Sequence, residues 1–254
     1  KTNEAVKIIK ARELWSKLLD ARAETGEPYI VNIDNCNDAL PQGQKDLGLE
    51  VKQSNLCSEI TLPTNDERTA VCCLSSVNLE HFDEWSKEEK FIDDLVTMLD
   101  NVLEHFIENA VDLNSLGGYN ANYERFKKHI KEGKEGFTKA AYSAYRERSI
   151  GLGAMGFHSY LQNQNIPFEG IFSTGINYKL FKFIKGAAVS ASRRLAVLRG
   201  EAPDISNSGL RNCHLLAVAP NASSSIICGG TSPSIEPIRA NVFTHKTLSG
   251  SYKV

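Results

Sequence analysis

The sequence has no excess of charge, no long apolar run, no paired-cysteine motif and no internal repeat, and each absence removes a class of function. A formal net charge of −2 over 254 residues gives no electrostatic reason to bind nucleic acid or an anionic membrane surface. No apolar run approaches the roughly 20 residues of a membrane-spanning helix. Residues 1–24 are charged and amphipathic, unlike a signal peptide. Six cysteines occur, at 36, 57, 72, 73, 213 and 228, with no C-x-x-C pair. They are neither a secreted disulfide framework nor a structural zinc set, and no metal-ligand set is read from them. They read instead as thiols of a cytoplasmic protein, some of them redox-active. Gly151, Gly153 and Gly156 fit G-x-G-x-x-G, but no acidic residue follows at the required distance, so dinucleotide binding is rejected.

What remains is a globular chain, 41% hydrophobic and 24% charged, long enough for one large domain or two small ones. Strands alternating with helices predict an α/β architecture. Residues 3–24 carry apolar side chains at helical spacing, with Gly26 as a stop signal. Residues 29–33 read as a buried strand and 35–53 as loop. Residues 55–62 read as extended chain ended by Pro63. A short apolar run over 69–77 leads to Asn78, a helix cap. A long amphipathic helix is predicted over 86–111, with Ser86 as cap and Glu89 three residues on. Residues 127–139 read as a solvated, charge-dense surface. The glycine-rich 149–160 reads as a closely packed strand-to-helix turn. A second long helix over 175–198, a short buried strand over 215–219 and a rigid turn over 232–237 follow. Both ends read as cut, the last residues within a strand. This predicts a segment of a larger protein, cut artificially or split in nature.

Two segments carry chemistry. In Ser54-Asn55-Leu56-Cys57-Ser58-Glu59, an amide, a thiol and a carboxylate stand at i, i+2 and i+4. Extended backbone would set all three on one face. That face can donate hydrogen bonds, supply a sulfur and move a proton, which suits a hydroxylated substrate. In Pro220-Asn221-Ala222-Ser223-Ser224, small side chains let backbone N–H groups converge and the hydroxyls add donors, a plausible anion cradle. A plain serine-rich turn is the other reading of that segment.

In combination and in order, four segments resemble the large, catalytic subunit of class I ribonucleotide reductase. They are Asn55–Glu59, Val71-Cys72-Cys73-Leu74-Ser75-Ser76-Val77-Asn78-Leu79, Arg148–Phe157, and Gly209-Leu210-Arg211-Asn212 through Pro220 to Glu236-Pro237. The resemblance covers nearly the whole chain. It implies that residues 1–254 are a catalytic barrel segment, part of a ten-stranded α/β barrel with a central finger loop. It implies a thiyl radical at Cys57 that takes the 3′ hydrogen of a ribonucleoside diphosphate, with Glu59 accepting the 3′ hydroxyl proton. Ser54 and Asn55 would hold substrate hydroxyls, Cys72 would be one of two redox cysteines, and Pro220, Asn221, Ala222, Ser223 and Ser224 would receive the diphosphate. Cys73 is expected to point the other way and pack, and Cys36, Cys213 and Cys228 to be buried. No cofactor would be bound by this chain. The radical would come from a small metal-containing partner subunit, the reducing equivalents from thioredoxin or glutaredoxin, and the full subunit would be a homodimer. The second redox cysteine, the nucleotide-sensing domain, the radical-relay tyrosines and the shuttle cysteines are expected outside these residues. A cobalamin-dependent reductase and a non-catalytic half needing a complementary polypeptide are the alternatives; residues 231–241 favour class I.

Overall fold

A computed structural model of the chain describes residues 8–118, 120–247 and 250–253. Its centre is β2, Gly151–Met155, which is buried along its whole length. A strand covered on both faces is characteristic of a parallel sheet flanked by helices. β2 pairs in parallel with β1, Leu74–Asn78, in register from Leu74 opposite Gly151 to Asn78 opposite Met155. On the other edge Leu152 forms a parallel bridge to Leu216. There the Leu152 N–H donates to Leu215 O (2.8 Å) and the Ala217 N–H to Leu152 O (3.3 Å). The strand predicted over 215–219 is therefore one bridge in a short, half-buried run.

The glycines of β2 exist for clearance. A Cβ on Gly151 would collide with Leu74 Cδ2 and Ala217 Cβ, and one on Gly153 with Ala217 O. Gly156 sits at φ 79°, a left-handed conformation that glycine adopts without a Cβ clash. It turns β2 into helix α8, Phe157–Asn163. The predicted strand-to-helix turn is thus present, with Gly153 packed against the Ala217 backbone and Gly151 and Gly156 against neighbouring side chains.

Helices cover this sheet. The long helix over Phe91–Ala110 (α5) buries Ile92, Val96, Leu99, Leu103 and Ile107, the three-and-four spacing of an amphipathic face. It packs against α7, Thr138–Glu147, and α9, Ile171–Arg199. α5 starts five residues later than predicted, and Ser86 caps no helix start. Ser86 instead ends α4, Phe82–Trp85. Phe82 and Trp85 are both buried and meet edge-to-face at 4.9 Å. That contact turns the chain before α5 begins. Asn78 is a cap as predicted, its Oδ1 accepting from the Glu80 N–H at 3.1 Å at the head of the 3-10 turn Leu79–His81.

The first 50 residues depart further from expectation. α1, Ala11–Thr25, ends at Gly26 as predicted but buries none of its side chains; residues 3–7 lie outside the described residues. No strand forms over 29–33, where Tyr29 is 54% exposed and α2, Ile33–Asp38, begins. Apolar residues there find no partner strand among the described residues, so the pattern has nothing to pair with. α3, Gln42–Asp46, lies inside the predicted loop. Of the predicted charged surface over 127–139, most residues are exposed, but His129 and Ile130 are half-buried and Thr138 is buried. β3, Thr244–Thr247, and β4, Gly250–Lys253, form an antiparallel pair at the end of the chain.

Buried charge fixes the return path of the chain after α9. Asp204, fully buried in the 3-10 turn Pro203–Ile205, accepts from Arg68 at 2.5 and 3.0 Å and from Arg146 Nε at 2.8 Å. Asp100 of α5, also fully buried, takes Arg199 (2.6 Å) and Arg211 (3.1 Å). Glu104 takes Arg148 and Arg211. A buried charge is tolerated only when paired and hydrogen-bonded.

Two predictions follow from clearance and charge. Gly153→Ala should lower the denaturation free energy by about 1–3 kcal/mol through overpacking. Gly186→Ala, in the interior of α9 with no atom near its would-be Cβ, should raise it by about 0.4–1 kcal/mol. Asp204→Asn should cost about 3–5 kcal/mol by stranding Arg68, read as a shift of the urea midpoint. Arg194→Gln, which breaks a surface pair with Asp93 and a hydrogen bond to Thr97, should cost less than about 1 kcal/mol.

Candidate active site

The loop holding Cys57 is a closed turn, not extended chain. Ser54 Oγ donates to Ile60 O (2.7 Å), and Asn55 Oδ1 accepts from the Ile60 N–H (3.1 Å). The Ser58 N–H donates to Asn55 O at 3.1 Å, and Ser58 is at φ 63°. Two short polar side chains thus tie the ends of the loop and push its tip outward. Leu56 is 89% exposed and Cys57 is exposed beside it. The expected single face of an extended strand is therefore overturned. Short polar side chains that bond nearby backbone compete with strand geometry. Ser54 and the Asn55 carbonyl are engaged in holding the loop, while Asn55 Nδ2 donates to none of the described residues.

Cys72 lies two residues before β1 and is exposed, whereas Cys73 is buried with its sulfur 3.6 Å from Leu99 O. The predicted opposite facing of the pair is present. Partial burial raises the Cys72 thiol pKa, and the charges of Glu59 and Cys57 raise it further. The fold thus brings Cys57, Glu59 and Cys72, from two separate segments, within electrostatic reach of one another. Glu59 is half-buried, and its Oε2 is fully buried without a hydrogen-bond partner among the described residues.

A pocket of about 40 Å³ lies at the base of the loop, lined by Glu59, Val71, Cys73, Ser149, His214 and Leu216, among others. Ser149 and His214 were not singled out as site residues from the sequence. Ser149 Oγ is 2.9 Å from Glu147 Oε2 and 2.9 Å from His214 Nδ1. Burial pushes Glu147 up to about 7 and pulls His214 down to about 4. Ser149 and His214 lie within segments that carry the family resemblance, but nothing in the sequence joins them to Glu147, since the three meet only when the end of α7, the start of β2 and residue 214 pack together.

The second loop sits at the other end of the same strands. Asn221, at φ 54°, donates from Nδ2 to Ala154 O (3.2 Å) and Ala219 O (2.8 Å), which pins the loop to the end of β2. Pro220, Ala222, Ser223 and Ser224 are exposed, and the short helix α10, Ser224–Ile227, follows. The N–H groups of Ala222, Ser223 and Ser224 donate to none of the described residues, whereas Ser225 is buried and bonds to Ala222 O. Gly151 bonds to Cys73 O at one end of β2 and Ala154 meets Asn221 at the other. Three residues of strand, about 10 Å, separate them. The remaining thiols correct one expectation: Cys36 and Cys213 are half-buried, and Cys228 is exposed just after α10, whose buried residue is Ser225.

The ribonucleotide reductase barrel-domain family matches residues 1–208 and 201–254. The ribonucleoside-diphosphate reductase large subunit of Invertebrate iridescent virus 3 is 48% identical over 251 residues, 99% of this chain and 36% of its own length. Large chain 2 of the Saccharomyces cerevisiae enzyme is 28% identical over 283 residues, 98% of this chain and 30% of its own. Among solved structures, the Actinobacillus ureae class Id ribonucleotide reductase alpha subunit superposes with a TM-score of 0.78 at 38% identity. It covers 91% of this chain and 40% of that one. The chain spans about a third of the length of these relatives. With the family match running from end to end and a solved alpha subunit sharing the fold, the chain belongs to the ribonucleotide reductase barrel-domain family.

Proposed function

We propose that residues 1–254 form a catalytic barrel segment of a class I reductase large subunit, which reduces ribonucleoside diphosphates to deoxyribonucleoside diphosphates in the cytoplasm. The observation that carries this reading is the convergence of Cys57, Glu59 and Cys72. A thiyl radical on Cys57 forms an S–H bond as it takes the 3′ hydrogen. Glu59 accepts the 3′ hydroxyl proton from a position where one carboxylate oxygen has no other partner among the described residues. The 2′ hydroxyl leaves as water with a proton from one of the two redox thiols, the hydrogen of the other goes to C2′, and Cys57 and Glu59 return the 3′ hydrogen and the hydroxyl proton. The two electrons come from Cys72 and a second thiol, which become a disulfide, and thioredoxin or glutaredoxin reduces that disulfide. The radical comes from a small metal-containing partner subunit, and the full subunit is a homodimer. The free N–H groups and hydroxyls of residues 222–224 receive the diphosphate, beside Pro220 and Asn221.

A second reading is a split half that requires a complementary polypeptide. It is favoured by α1, whose Leu14, Trp15 and Leu19 are all exposed. Under either reading the 254 residues alone should reduce no nucleotide when assayed with a radical-generating subunit and dithiothreitol.

In the complete subunit, Cys57→Ser should abolish deoxynucleotide formation, since an O–H bond is too strong to serve as the radical site, while nucleotide binding persists. Cys72→Ser should stop multiple turnovers with thioredoxin, whereas Cys73→Ser should cost only packing. Reversed behaviour of the two would mean that the neighbouring thiol carries the redox role. Ser223→Ala and Ser224→Ala should each weaken diphosphate binding by about 1.5–3 kcal/mol for a lost charge-assisted bond, roughly tenfold or more in affinity. Ser225→Ala should matter less. Unchanged binding in both of the first two would assign the loop another role.

A further inference from the structure

We propose that Glu147, Ser149 and His214 form a proton relay that opens onto the pocket beneath the Cys57 loop, and that these positioning residues exchange a proton with Glu59. The use in catalysis rests on the function proposed above; the relay itself rests on geometry. Ser149 Oγ touches both Glu147 Oε2 and His214 Nδ1 at 2.9 Å, and Ser149, His214 and Glu59 line one pocket. Its volume of about 40 Å³ exceeds the roughly 10–15 Å³ that one water needs. A water held there would join Glu59 Oε2, which has no partner among the described residues, to the imidazole.

Counting hydrogens sets the two states. A hydroxyl has one proton to donate. When Glu147 is ionised, Ser149 donates to it, so His214 must donate from Nδ1 and Nε2 carries a lone pair. When Glu147 is protonated, it donates to Ser149, Ser149 donates to Nδ1, and Nε2 carries the proton. Passage between the states moves three protons one step each. One binds Nε2 from the pocket, one leaves Nδ1 for Ser149 Oγ, and one leaves Ser149 Oγ for Glu147 Oε2. The sum is one proton carried from the pocket to Glu147, and the ring is neutral before and after. Nε2 makes no hydrogen bond to the described residues, which leaves it as the ring nitrogen available to exchange a proton, and His214 lines the pocket.

The surroundings suit this exchange. Glu147 is faced by Arg68 and Asp204, by the buried Gln44 amide of α3 and by the Cys213 thiol. Asp204 is already neutralised by Arg68 and Arg146, and it is the charge that acts on His214. Burial holds the carboxyl at about 7, close to working pH, and holds the imidazole at about 4, so the ring does not charge in between.

The test is a pH titration of the complete large subunit with ¹⁵N-labelled histidine rings, the His214 signals being those lost in His214→Gln. His214 should be the Nδ1–H tautomer at pH 8 and the Nε2–H tautomer at pH 5.5, neutral at both, with its midpoint near 7. Glu147→Gln should hold one tautomer across this range, and Ser149→Ala should uncouple the ring from Glu147. A ring that gains charge near 6.5, or a switch that survives Glu147→Gln, overturns the relay. In nucleotide reduction, Glu147→Gln should lower kcat, leave KM unchanged and remove the limb of the kcat–pH profile near 7. An unchanged profile overturns the link to Glu59. A Cys57→Ser enzyme that still reduces nucleotide overturns the functional reading instead, while the tautomer switch still stands for the relay.

Discussion

The clearance over β2 is the constraint on which the rest of the structure depends. β2 is flanked by β1 on one edge and by residues 215–217 on the other, and only Gly151 and Gly153 allow both approaches. Every candidate segment hangs from that contact. Cys72 enters β1, Ser149 enters β2, and His214 and the 220–224 loop flank the third run. A parallel sheet buried on both faces cannot be widened locally without moving the helices above it. The positions of the chemical groups are therefore inherited from backbone packing.

Charge completes what the sheet begins. Asp204, Asp100 and Glu104 pair with arginines from positions 68, 146, 148, 199 and 211, of which Arg68, Arg148 and Arg211 are buried. Each pair joins chain segments far apart in sequence, and an unpaired member would be costly at this depth. These contacts hold the 199–214 stretch against α5 and α7, which brings His214 to Ser149.

The Cys57 loop combines exposure with shielding. Its tip carries the thiol outward, while Glu59 at its base turns one oxygen into a buried pocket. The ties from Ser54 and Asn55 to Ile60 produce both results at once. Under the proposed function, a thiol that meets an outside oxidant and a base that holds a proton away from bulk water need this division.

Much was legible without coordinates. The order of the motifs carried the family, the alternation of Cys72 and Cys73 carried their facing, and the glycine spacing over 151–156 carried the strand-to-helix turn, because each depends on near neighbours along the chain. The boundaries of α5 and the loss of the strand over 29–33 were not legible. Both depend on which apolar groups find a partner across the fold: Phe82 and Trp85 do, and Tyr29 does not. The turn at Cys57 was misread as extended because side-chain-to-backbone bonds override period-two alternation. The meeting of Glu147, Ser149 and His214 was not legible, since it is a contact between segments 65 residues apart, which only tertiary packing decides.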